Sequence, residues 1–307
     1  NISYPLWKEV AYLPAPLLDN SDPPQLPSLT PPKRWENGPH LVSFHSFKGG
    51  VGRTTTMMTF AAACLDSSRN KSNKILIVDA DLEAPGVGFW LNDSNRPNVS
   101  FLQFLEAMHY PPKDIEASLD FFARELNKNS ITINAGHRHE LFVLPAALTL
   151  EAIQDMPVQP QHLARNPINP WILSDHLHAL GKRLGADVVF IDLRAGLSEM
   201  ASPLIFDPRI EHYFVTTIAK QSVLGMAEIL QRLHAFHHRL PKTQQDELSP
   251  SVVLSLLTQT LRKLPDYETA TSRLAAAYPL LDINADSRDS CIEWLELDFS
   301  EDLMSIS

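Results

Sequence analysis

A chain of 307 residues with 44% apolar side chains has material for one sizeable core. Its 36 acidic against 26 basic residues leave a formal charge of −10, which disfavours non-specific binding to nucleic acid or anionic lipid. The two cysteines, Cys64 and Cys291, lie far apart with no paired spacing, so no zinc ribbon or iron–sulfur site is encoded, and two free thiols suit a reducing cytoplasm.

Residues 1 to 40 carry Pro5, Pro14, Pro16, Pro23, Pro24, Pro27, Pro31, Pro32 and Pro39. Proline removes backbone donors and blocks helix interiors, so an arm or linker is expected over 1–40, ahead of one domain over 41–307. Tyr4, Leu6, Trp7, Tyr12 and Leu13 are too apolar for a purely solvated linker, and part of the arm is expected to dock. The opening NISYPLWKEVAYLPAP lacks the basic start and apolar run of a signal peptide, and no run suits a membrane anchor. Without an initiator Met, a processed or trimmed piece of something longer is expected.

From residue 41 the rhythm changes. LVSFHSF reads as a buried strand and RTTTMMTFAAACLDSS as the helix after it. KILIVDAD is a second strand, FLQFLEAM and DIEASLDFFAREL are helices, and ELFVLPAA is a third strand. WILSDHLHALGKRLG is a helix, ADVVFIDL a fourth strand and EHYFVTTI a fifth. The helix QSVLGMAEILQRLHAFHHRL and a sixth strand, SVVLSLLTQ, follow. The tail offers one helix, YETATSRLAAAYP, and a weak strand, IEWLELDF. Short apolar strands alternating with helices predict an α/β fold: a mostly parallel sheet with helices on both faces.

Between the first strand and its helix lies Phe47-Lys48-Gly49-Gly50-Val51-Gly52-Arg53-Thr54-Thr55. The strict phosphate loop, G-x-x-x-x-G-K-[ST], fails twice here, with Phe47 for the first glycine and Arg53 for the lysine. Gly49, Gly50 and Gly52 still let the backbone wrap an anion. The strand-to-helix turn aims N–H groups at it, and Thr54 sets a hydroxyl where Mg²⁺ would sit.

The K-G-G-V-G-[KR]-T-T pattern resembles the deviant Walker A loop of ParA/MinD-type P-loop ATPases, in an arginine variant. That variant also carries D-L-E-A-P-G after the second strand and D-x-R-[TA]-G-L-[ST] after the fourth. Here these are Asp81-Leu82-Glu83-Ala84-Pro85-Gly86 and Asp192-Leu193-Arg194-Ala195-Gly196-Leu197-Ser198. The resemblance covers residues 41 to 260 and implies a P-loop ATPase binding ATP and Mg²⁺. Lys48 would be the signature lysine, reaching the partner's ATP across a homodimer formed in the ATP state. Gly49, Gly50, Val51, Gly52, Arg53, Thr54 and Thr55 would cradle the nucleotide.

Asp81 would orient the attacking water. Thr54, Asp79 and Asp192 would serve the metal, Asp192 in the Walker B place. Arg194 and Gly196 would form a second switch. Arg194 is left with three destinations: a phosphate, Glu83 or Glu199. Arg53 keeps the positive charge, but a planar guanidinium differs from a compact ammonium, so binding is expected to survive more readily than fast hydrolysis. Thr258 and Gln259 are candidates for base recognition. A protein partner is expected, with the arm and residues 101–140 as candidate docking elements.

Other chemistries have less support. His234, His237 and His238 on one helix, and His176 and His178 on another, lack a carboxylate or cysteine partner at metal spacing and are expected to be solvated. His137 and His139 fall in a polar loop expected to be exposed. DNA partitioning wants a basic surface, and a membrane-gradient protein wants a basic amphipathic terminus, whereas IEWLELDFSEDLMSIS is acidic. The competing reading is an ATP-binding regulatory subunit without useful turnover.

Overall fold

In the computed structural model the described residues are 32–67, 72–135, 137–156, 159–163, 169–237, 240, 249–279 and 291–302. The apolar runs form β1 (His40–His45), β2 (Lys74–Ala80), β3 (Ile131–Ala135), β4 (His137–Leu144), β5 (Val188–Leu193), β6 (Glu211–Thr216), β7 (Ser251–Leu257) and β8 (Glu293–Asp298). The larger helices are α1 (Arg53–Ser67), α2 (Phe101–His109), α3 (Ile115–Lys128), α4 (Ile172–Leu184), α5 (Lys220–His237) and α6 (Pro265–Ala277). The strands join an eight-stranded sheet in the order β3-β4-β2-β5-β1-β6-β7-β8. All neighbours are parallel except β3 and β4.

Side chains of a strand alternate between faces, and the core divides accordingly. Ile75 and Ile77 point to one side with Phe44 and with Met57, Ala61 and Leu65 of α1. Leu76 and Val78 point to the other, against a larger layer containing α2, α3, α4 and α5. α2 opens on a capping box: Gln103 N–H donates to Ser100 Oγ, and Ser100 N–H donates back to Gln103 Oε1 at 3.0 Å. α4 stops at Gly185, whose φ of +65° suits a residue without Cβ. Among the described residues no helix is long and apolar enough to cross a membrane.

Two expectations are corrected. The segment around His137 and His139 is a β-hairpin, not an exposed loop. β3 adds an antiparallel edge to β4, and although His137 is exposed, His139 is buried and accepts the Asn73 N–H at 3.1 Å. The helix histidines are not solvated: His176, His178 and His237 are buried, because α4 and α5 are enclosed by neighbours on more than one side. His237 bonds the Tyr278 hydroxyl at 2.6 Å. No cluster among the described residues could hold a metal through such histidines, and His238 lies outside them.

The described end of the proline-rich arm packs on the domain. Trp35 stacks on His178, ring centres 4.4 Å apart, and donates to Asp175 at 3.1 Å. The Arg209 guanidinium lies 3.9 Å over the same indole. Residues 1 to 31 lie outside the described residues.

Phe47, the residue in place of the first loop glycine, has a packing partner. Its ring lies against Gly225 of α5, where an added Cβ would come 1.9 Å from Phe47 Cδ1. Gly225→Ala should therefore push the ring and the loop aside, costing about 1–3 kcal/mol despite the better helix propensity of alanine. A thermal melt checks this; an unchanged melting temperature would mean that the ring moves freely.

Candidate functional site

The site lies where β1, β2 and β5 end, at the carboxyl edge of a parallel sheet. The loop after β1 turns through Gly50 at φ +74° and Gly52 at φ +78°, values that disfavour any residue with a Cβ. A Cβ added at Gly49 or Gly50 would meet nothing within 4 Å, so both border open space rather than packed atoms. Thr56 N–H closes on the Gly52 carbonyl at 2.8 Å and starts α1 directly behind the loop.

The loop is fastened from below. Val51 is buried, and its carbonyl accepts the Ser255 hydroxyl of β7 at 2.6 Å; the same hydroxyl lies 3.1 Å from the Thr216 carbonyl. Lys48 is exposed at the tip, its Nζ donating to Gln221 Oε1 at 3.0 Å. Gln221 and Gly225 stand four apart on α5, so one helix face receives both Lys48 and Phe47.

Asp192 ends β5 beside Asp79 of β2 in the sheet register, and both are fully buried. Asp192 Oδ2 accepts the Thr54 hydroxyl, and Oδ1 accepts Arg53 Nε. The guanidinium reaches on through Nη2 to Asp81 Oδ2 at 2.9 Å. Arg53, expected to face a phosphate, is thus turned into the protein, only 8% exposed, between two carboxylates. Burial opposes its charge, but Asp192 and then Asp81 more than offset this and raise its pKa. Burial raises the pKa of Asp192, with Arg53 opposing.

Asp79 does different work from Thr54 and Asp192. Its carboxylate accepts N–H groups of Asp81 at 3.1 Å and of Gly86 and Val87 at 3.0 Å each. It folds the D-L-E-A-P-G segment back over the strand end. Asp81 Oδ1 adds bonds from Glu83 N at 3.3 Å and Ala84 N at 3.1 Å. Arg194 takes one of its three open destinations, an ion pair with Glu83 that ties the loop after β2 to the loop after β5. Gly196, at φ +82°, is held twice: its N–H donates to Ser46 O, and its carbonyl meets His45 Nε2, both at 2.9 Å.

Thr55 lies half-buried on the first turn of α1. Of the two residues considered for base recognition, Thr258 caps its own turn through Leu261 N at 3.2 Å, and Gln259 is exposed. An apolar groove of about 470 Å³, lined in part by Pro85, Phe89, Leu91, Pro145 and Leu148, opens beside the loop after β2.

The donor set suits Mg²⁺, which prefers hard oxygens and few protein ligands: Thr54 Oγ1 and Asp192 Oδ2 already share a hydrogen bond at the start of α1. The open glycine turn suits a polyphosphate. Sequence reading missed Ser255, Gln221, Gly225 and His45. Only Ser255 left a signal, a hydroxyl inside the apolar run VVLSLL.

The buried histidines set an acid limit on the fold. Burial lowers His45 and His237 to about 3 and His212 to about 4, and lowers His176 and His178 as well. Unfolded, they titrate near 6.5, so their contribution is complete above that pH and is lost as the pH falls toward 4. Asp79 works in the opposite sense: burial, then Asp192, raise it to about 7, so its contribution declines as the pH rises from about 4 to 7. Asp192 shares that direction. The histidines outnumber the two carboxyls, so stability should fall on acidification by about 1.4 kcal/mol per pH unit for each net proton. Urea midpoints at pH 7, 6 and 5 check this; a flat or rising midpoint would contradict it.

Solved structures with the same architecture include a ParA family ATPase from Chlorobium tepidum TLS, 18% identical, with TM-score 0.51, covering 86% of this chain and 87% of that one. An aspartate-to-alanine variant of Cyanothece McdA in complex with ATP is 16% identical, with TM-score 0.50 and 88% of each chain covered. The MinC:MinD cell division protein complex of Aquifex aeolicus is 15% identical, with TM-score 0.50, covering 87% of this chain and 84% of that one. No protein-family model and no curated protein matches the chain. What these structures share with it is the fold.

Proposed function

Given the fold of ParA/MinD-type ATPases, we propose that this chain binds Mg·ATP, hydrolyses it slowly, and uses the nucleotide to switch a homodimer that engages a protein partner. One observation carries the reading. The open glycine turn, the Thr54–Asp192 pair, Asp81 and two loops tied by Arg194 and Glu83 converge at one sheet edge. A glycine turn that served only as a link between β1 and α1 would not need these partners.

In this reading the N–H groups of residues 49 to 55 hold the phosphates, and Thr54 and Asp192 hold Mg²⁺. When bound, the ion neutralises phosphate charge. Asp81 accepts a proton or hydrogen bond from the attacking water. Lys48 serves a facing copy rather than its own loop, a role that its exposure at the rim supports. Gly196 adds its N–H to the terminal phosphate once it leaves Ser46, and Arg194 carries that movement to Glu83 and the loop after β2. The −10 charge and the acidic β8 favour a protein over DNA or an anionic membrane as the final partner.

The second reading, a nucleotide-binding subunit without turnover, is favoured by one observation. Arg53 engages both Asp81 and Asp192, the two carboxylates that hydrolysis would use.

Molecular mass in Mg·ATP, measured for the wild type and for Asp81→Ala, tests the proposal. The wild type should form a dimer that decays as ATP is consumed. Asp81→Ala should form one that persists, with turnover down by about a hundredfold or more. A mass that ignores ATP in both proteins would sink the dimer switch. Wild-type turnover in Asp81→Ala would remove Asp81 from the chemistry.

A further inference from the structure

We propose that Arg53 is a built-in cation competing with Mg²⁺ for Asp192, so that nucleotide binding to this chain draws little strength from the metal. The inference rests on the nucleotide-binding reading above and concerns the regulation of that same site.

All four oxygens of the two carboxylates are engaged. Asp192 gives Oδ1 to Arg53 Nε and Oδ2 to the Thr54 hydroxyl. Asp81 gives Oδ2 to Arg53 Nη2 and Oδ1 to the N–H groups of Glu83 and Ala84. The guanidinium is nearly sealed from water, and one planar fork spans both acids. A divalent cation on Asp192 would meet that positive charge at short range, and Arg53 would have to release Oδ1 to admit it. The separated partners would then face a buried environment in which an unpaired charge is strongly disfavoured. Lysine cannot reproduce the arrangement. It has a methylene where arginine has Nε, and its single ammonium cannot bridge two carboxylates in one plane. The arginine thus makes metal entry and guanidinium release one coupled event.

The test is calorimetric titration of the full chain with ADP, which avoids hydrolysis, once in excess EDTA and once in excess Mg²⁺. The wild type should bind ADP in both, with affinities within about threefold. Arg53→Lys should gain about tenfold or more from Mg²⁺. A wild-type gain of tenfold or more would overturn the competition, and that comparison needs no variant to fold. Equal metal dependence in wild type and Arg53→Lys would overturn it as well. ADP binding in neither buffer would remove the nucleotide-binding reading itself, a different outcome from binding that depends fully on metal.

Discussion

Asp192→Ala should lose phosphate release by about a hundredfold or more. Asp192 is fully buried and holds the Thr54 hydroxyl and the Arg53 guanidinium at once. Its removal takes away the proposed metal ligand and leaves Arg53 with Asp81 alone. Breaking one side of a buried ion pair also costs stability, here about 2–4 kcal/mol because Asp81 remains as a partner. Asp192→Asn separates the two effects. It keeps the volume and an acceptor for Thr54, so it should melt closer to the wild type yet stay silent in turnover. Stopped turnover with near-native stability would assign the loss to the charge. Wild-type turnover in Asp192→Ala would move the metal site elsewhere.

Lys48→Ala should abolish the ATP-induced dimer while the monomer still binds nucleotide within about tenfold of the wild type. Lys48 is exposed and its side chain donates to Gln221 Oε1 at the surface, so its truncation should change folding stability by less than about 0.5 kcal/mol. A lost dimer could not then be put down to unfolding. The observation that would count against this role is a mass in Mg·ATP that doubles in the variant as it does in the wild type.

Much of the scaffold is readable from the chain. β1, β2, β5, β6 and β7 are apolar runs because parallel strands are buried on both faces, and a helix with a repeating apolar stripe follows several of them. The loop and its two downstream motifs mark the strand ends where the site lies. β3 was less visible, since ITINA is a short edge strand that alternates weakly and shares its hairpin with polar residues. The burial of His176, His178 and His237 was not legible either, because helical spacing shows a stripe but not how many neighbours enclose the helix.

The orientation of Arg53 is the sharpest case. The sequence shows a positive charge at the loop and carboxylates at two strand ends. Which of them pair is a tertiary choice, made where Asp192 and Asp81 are brought within reach of one guanidinium. Phe47 and Gly225 are another such pair, distant in the chain and meaningful only together.

The most direct measurement is phosphate release from Mg·ATP over a range of protein concentrations. Specific activity that rises with concentration and then saturates is the predicted result, because in the proposed dimer Lys48 of one copy would complete the site of another. Specific activity independent of concentration, or no phosphate from a protein that binds ATP, would contradict a hydrolytic dimer switch. The second outcome would leave Arg53 as the mark of a ligand-bound scaffold.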